Sequence, residues 1–87
     1  MSNAVVKSCD MNDEMREFAL LTASFAMREK TNEQEVASEI RTQFEEKYGR
    51  KWHCLTGRHF ASFVTHEKGT YAYFYIGQTG FTIFSTT

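Results

Sequence analysis

The sequence has no proline, five glycines, one tryptophan and two cysteines in 87 residues. With no proline break, no Gly-Ser tract, no repeat and no low-complexity segment, nothing marks a linker, and one domain over residues 1–87 is expected. Cys9 and Cys54 stand in no C-x-x-C spacing, so neither a disulfide framework nor a thiolate zinc site is signalled, and a reducing compartment is the default. No stretch approaches ~18 consecutive apolar residues, and the N-terminal segment offers only Ala4-Val5-Val6, so neither a spanning helix nor an export signal is read. Excess charge is also missing. Ten Lys or Arg against eleven Asp or Glu leave a formal charge of -1, without the basic excess by which nucleic-acid and membrane-surface proteins gather phosphates.

What the chain has in quantity is aromatic side chains: eight Phe, four Tyr and one Trp. A chain this short hides only roughly 60 to 65% of its unfolded surface, so either its core is dense or a partner surface completes it. Charge and aromaticity divide the chain. Residues 1–50 hold ten of the eleven acidic residues, whereas residues 51–87 hold nine of the thirteen aromatics, so helices are expected to precede strands.

The first helix is expected from an Asn12 cap to about Glu29, with Asp13 and Glu14 in its electropositive first turn. Met15, Phe18, Ala19, Thr22, Phe25 and Ala26 would form its buried stripe. Thr31 or Asn32 opens a second helix, since Thr31-x-x-Gln34 and Asn32-x-x-Glu35 both fit a capping box. Its stripe reads Val36, Ala37, Ile40, Phe44 and Tyr48, and Gly49 ends it. From Lys51 the period becomes two. Residues 52–57, 60–67, 71–76 and 81–85 read as strands, and residues 4–7 as a candidate fifth. The strand 71–76 places Tyr71, Tyr73 and Tyr75 on one face and Ala72, Phe74 and Ile76 on the other. Two helices cover one face of an antiparallel sheet, which leaves the tyrosine face to meet another chain and implies a homo-oligomer.

Candidate chemistry is sparse. His53, His59 and His66 lack metal-binding spacing, and His53 and Cys54 point to opposite faces of one strand, which disfavours a small thiol or histidine enzyme. The segment 77–80 is too short for a phosphate loop and lacks its lysine. Tyr71 to Tyr75 could stack bases, yet the basic-glycine-aromatic signature of RNA-binding sheets is missing. The remaining feature is segment 60–66, which alternates Phe60, Ser62, Val64 and His66 with Ala61, Phe63 and Thr65, and holds neither Pro nor Lys to block pairing. Such a strand accepts an added peptide by main-chain hydrogen bonds.

Lys51-Trp-His-Cys-Leu-Thr-Gly-Arg-His-Phe-Ala-Ser-Phe-Val-Thr-His-Glu67, followed by Tyr73-Phe-Tyr-Ile-Gly-Gln78, resembles the dynein light chain family of the light-chain-eight type. Asp10-Met11 with Glu14-Met15, and Phe44-Glu-Glu-Lys-Tyr48, extend the similarity over nearly the whole chain. The resemblance implies a non-enzymatic homodimer of the α+β class. Two helices would pack on an antiparallel sheet completed by a strand, residues 60–66, exchanged with the partner. It also implies no cofactor and no metal. The expected partners are dynein intermediate chains and other proteins with short Thr-Gln-Thr-type motifs, with neither nucleic acid nor membrane. The expected setting is cytoplasmic and cytoskeletal, with the ciliary axoneme as a second possibility.

Carried over by position, the backbone of Phe60, Ser62, Val64 and His66 would pair with the peptide. Phe63, Thr65, His66, Tyr71, Tyr73 and Tyr75 would line the groove. Glu33 and Gln34 would offer free amides at the start of the second helix to a ligand side-chain carbonyl. His53, Phe60, Ser62 and Val64 would form the dimer interface. Departures from the family pattern are Gln34 where many members have Lys, Ala61 for Gly, Phe63 for Tyr and Arg50 for Pro. They favour a divergent member, of an axonemal arm or a lineage-specific paralogue, and they bear on motif preference more than on fold.

Overall fold

The computed structural model describes residues 4–57 and 67–86. The candidate strand 60–66, with Phe60, Ser62, Phe63, Val64, Thr65 and His66, lies outside the described residues, as does His59. The described chain runs β1 (Ala4–Cys9), α1 (Asp13–Glu29), α2 (Glu33–Tyr48), β2 (Lys51–Gly57), β3 (Ala72–Ile76) and β4 (Thr79–Thr86).

Both helices start where side-chain caps are available. Asn12 Oδ1 accepts the Met15 N–H at 2.8 Å, and Asn32 Oδ1 accepts the Glu35 N–H at 2.8 Å, each satisfying an orphan donor of a first turn. Asn32, and not Thr31, is therefore the cap of α2. The side of α1 turned inward is Ala19, Thr22, Ala23 and Ala26. Phe25, expected in that stripe, is 46% exposed, while Ala23 is fully buried. Phe18, on the same helix, finds aromatic partners on α2, lying edge-on to Phe44 and Tyr48 with ring centroids 5.0 and 5.7 Å apart. Ala37, expected in the core stripe of α2, is only half-buried.

The four strands form one antiparallel sheet in the order β1-β3-β4-β2. The residues expected as a fifth strand thus form β1, longer than read and hydrogen-bonded along β3 with an irregularity between Val6 and Ser8. The β3–β4 connection is tighter than the gap 77–80 left between the expected strands 71–76 and 81–85. Ile76 pairs with Thr79, so only Gly77 and Gln78 lie between the strands, and Gly77 takes φ 62°. Glycine first in a two-residue hairpin is the type II′ pattern, whose twist matches that of the strands. Tyr71 lies just outside β3 and Glu67 outside any strand. The Glu67 N–H donates to the Ser85 carbonyl at 2.9 Å.

One face of the sheet is the core. Phe74 stacks on its cross-strand partner Phe81 with centroids 5.2 Å apart. Trp52 packs against Phe44 at 4.7 Å and donates its indole N–H to the Gly49 carbonyl at 2.7 Å. Ile40, Phe44, Phe81 and Ile83 are fully buried, and burial of a side chain of this size is worth about 3 kcal/mol. Asp10 fastens the sheet's far corner, its carboxylate accepting the N–H groups of Gly69 at 3.1 Å and Tyr71 at 2.8 Å. The α2–β2 junction has Gly49 and Arg50 both at φ 68°. Proline locks φ near −65°, so the proline found at this position in many members of the family the sequence resembles could not adopt the backbone found here.

Candidate functional site

β2 pairs with β4 along one side and, among the described residues, borders no strand on the other. Its register with β4 fixes the direction of each side chain. Trp52, Cys54 and Thr56 stand opposite Ser85, Ile83 and Phe81 on the helix-covered face, since successive side chains alternate across a strand. His53 and Leu55 stand on the other face. Beside this edge, the first half of α2 and Cys54 enclose an open groove of about 550 Å³, lined by Asn32, Gln34, Glu35, Ala37, Ser38, Arg41 and Cys54.

The groove combines three kinds of group. At its head is the start of α2, where Glu35 donates to the Asn32 side chain and Val36 to the Asn32 carbonyl. Of the four amides a helix start leaves without intrahelical partners, here those of Asn32, Glu33, Gln34 and Glu35, the Asn32 side chain engages that of Glu35, and among the described residues those of Glu33 and Gln34 have no hydrogen-bond partner. Along the wall, Ala37 and Ser38 are short enough to leave space, and Arg41 brings a positive charge. The Cys54 thiol lies on the floor. Its residue is only partly buried by accessible surface, yet the protein packed around it lifts its pKa from 9.0 to about 12, with the Arg41 charge a smaller opposing influence. Such a thiol is neutral at physiological pH and a poor nucleophile.

The tyrosines lie elsewhere. Ala72, Phe74 and Ile76 of β3 are buried against the helices, so Tyr73 and Tyr75 project from the opposite face and are half-buried. The Tyr73 hydroxyl donates to that of Tyr75 at 3.4 Å, and Lys7 stands 6.0 Å over the Tyr75 ring. The bond to Tyr75 pushes the Tyr73 phenol above its ordinary range, with burial and the Tyr75 and Tyr71 neighbours adding to it. His53 shares this face, stacked on Phe84 at 5.0 Å with its Nε2 3.0 Å from Thr86 Oγ1.

Among the described residues, one chain therefore does not gather the sequence-expected groove residues in one place. Glu33 and Gln34 belong to the helix-covered side at the β2 edge, whereas Tyr73, Tyr75 and His53 belong to the uncovered face. Sequence reading missed Ser38, Arg41 and Cys54 as neighbours of Gln34. The signal was the spacing Gln34, Ser38, Arg41, at steps of four and three, which puts one ridge of α2 along the groove.

The family profile described as Dynein light chain type 1 matches residues 3–86. The chain belongs to the dynein light chain family. It is 45% identical over 86 residues to Dynein light chain 1, cytoplasmic, of Candida glabrata, covering 99% of this chain and 100% of that one. It is 41% identical over 83 residues to a Dynein light chain of Schistosoma mansoni, covering 95% and 93%. Among solved structures, the dynein light chain-like domain of a Fasciola hepatica calcium binding protein superposes with a TM-score of 0.85 at 20% identity, over 99% of this chain and 93% of that one. The similar domain of a second protein, CsTAL3, gives 0.77 at 10% identity, over 95% and 92%. These distant structures share the fold, two helices on one face of an antiparallel sheet.

Proposed function

We propose that the chain is a non-catalytic, homodimeric light chain of a dynein motor complex that binds short linear peptides by β-strand addition and brings its partners together in pairs. Membership of the family supports the dynein role. The observation that carries the finer reading is the division of the groove residues between two faces of one sheet. A two-fold pairing that brings the partner's Tyr73, Tyr75 and segment 60–66 beside the β2 edge would build, from two chains, the groove that one chain leaves in halves. Phe60, Ser62, Val64 and His66 would then present their backbone to the peptide, with Phe63, Thr65, His66 and Tyr71 beside it. The Glu33 and Gln34 amides would receive the ligand's glutamine carbonyl, and His53 would lie at the interface with Phe60, Ser62 and Val64.

The ligands are dynein intermediate chains and other proteins carrying Thr-Gln-Thr-type motifs, and the setting is the cytoplasm and cytoskeleton, the ciliary axoneme being the alternative. Two grooves on one two-fold axis make each weak peptide contact strong once both are engaged. Titration of the protein with a Thr-Gln-Thr peptide, alongside sedimentation, tests this. One peptide bound per chain of a dimer is the expected result. A folded monomer at micromolar concentration, or no saturable binding, overturns it. Which intermediate chain co-purifies from extract, cytoplasmic or axonemal, decides the setting.

A further inference from the structure

The outward side of α1 is unlike that of an ordinary solvated helix. Leu21 is 65% exposed and Phe25 46%, and they stand one turn apart, at i and i+4, as neighbours on the helix surface. Along the same ridge, Glu14 and Glu17 lie towards the N-terminus and Arg28 towards the C-terminus, all three exposed. Among the described residues none of these three has an ion-pair partner in its own chain. The arrangement is centred on Leu21. Glu14 precedes it by seven residues and Arg28 follows it by seven, roughly 10 Å along the axis in each direction.

A surface with an apolar centre, acid at one end and base at the other is complementary to itself when one copy is turned end for end. We propose that this face of α1 is a homotypic contact, on which a second copy of the chain lays its own α1 antiparallel about Leu21. Leu21 would then meet Leu21 of the other copy near the axis, with Phe25 of each beside it. Glu14 of each copy would face Arg28 of the other, with Glu17 level with Phe25 and one turn nearer the axis on the same acidic end, and the opposed helix dipoles would add to the attraction. Lys47, which lies 5.1 Å over the Phe18 ring from α2, borders the ridge on one side and is not on its axis. The face belongs to the helix layer, on the far side of the sheet from Tyr73 and Tyr75. It is therefore free to act whether or not the chain pairs through that other face. Because it is an isologous patch of one helix, it makes a small interface of the weak, reversible kind. On a chain already dimeric it would link dimers into larger assemblies.

Sedimentation equilibrium of the full chain tests this, read as the rise in weight-average mass above the unit present at low micromolar concentration. Between roughly 10 μM and 1 mM that mass should rise to about twice its starting value or more, the range over which a contact with a Kd of about 100 μM fills. Arg28→Glu alone, or Glu14→Lys with Glu17→Lys, should abolish the rise, because each places like charges opposite one another. An equimolar mixture of the two variants should restore it, since the swapped ends again match. Leu21→Ser with Phe25→Ser should also abolish it, and circular dichroism of each variant verifies that the helices are intact. A mass constant over that range overturns the proposal. So does a rise that survives Arg28→Glu, or one that the mixture fails to restore.

Discussion

His53 and Cys54 are consecutive on β2 yet work on opposite sides of the sheet. The imidazole stacks on Phe84, 3.0 Å from Thr86 Oγ1, while Cys54 stands opposite Ile83 on the helix side, at the floor of the groove beside α2. No base from β2 can reach that thiol.

The state of Cys54 gives the first prediction. Surrounding protein raises its pKa to about 12, so between 9 and that value the folded chain keeps a proton that the unfolded chain has lost. Stability from this group is fully present below pH 9 and declines as pH rises towards 12. Denaturant titrations of the native chain and of Cys54→Ala should differ in slope against pH above 9, the native chain losing stability faster. Iodoacetamide at pH 8 should label Cys54 in the folded chain far more slowly than after unfolding. Equal rates would show that the thiol is not held neutral.

Arg50 gives the second. Its φ of 68° is closed to proline, so Arg50→Pro should destabilise by more than about 1 kcal/mol, although many members of the family the sequence resembles have proline there. The change would disturb the junction that places Trp52 beneath Phe44, with its indole N–H on the Gly49 carbonyl. Thermal unfolding measures it, and an unchanged or higher midpoint would contradict the backbone found here.

The aromatic cluster is the third. Phe44 touches Phe18, Tyr48 and Trp52 and joins both helices to β2. Phe44→Ala should cost about 3 to 5 kcal/mol by cavity formation, measured by urea titration. Phe25→Ala, at a rim position, should cost under about 1 kcal/mol.

Gln34 provides the fourth. It lines the groove with Arg41, the cation already present there. Gln34→Lys should favour a peptide with an acidic residue beside its glutamine over a neutral one, by less than ~1 kcal/mol, the scale of an exposed ion pair. Calorimetry with the two peptides decides it. Equal changes for both would mean that the site does not read charge.

These residues also mark how much was legible beforehand. Asn12, Asn32 and Gly49 announced the helix boundaries because caps are local, and the alternation in 71–76 assigned faces to β3 because side-chain direction in a strand is local too. Phe25 and Ala37 were misread because burial on a helix flank depends on what the neighbouring helix presents at that level. The tight Gly77-Gln78 turn was hidden because Thr79 and Gly80 look like loop residues until β4 pairs them. The candidate site could be named from the sequence only as residue types carried over by resemblance, not as a place. Periodicity assigns Gln34 and Tyr73 to faces of their own elements, and only the strand order β1-β3-β4-β2 shows that one chain holds them on opposite sides.

The most direct test of the two-chain groove uses complementation. One variant carries Ser38→Arg to block the α2 wall, and the other carries Tyr75→Ala to remove the aromatic wall; each alone should bind a Thr-Gln-Thr peptide poorly. In a mixed dimer, the intact α2 of one chain and the intact Tyr75 of the other would share a groove. Refolding the two variants together and titrating the peptide by fluorescence anisotropy should therefore recover one functional site in each mixed dimer. No recovery, with mixed dimers verified by mass spectrometry, would contradict a groove built from two chains.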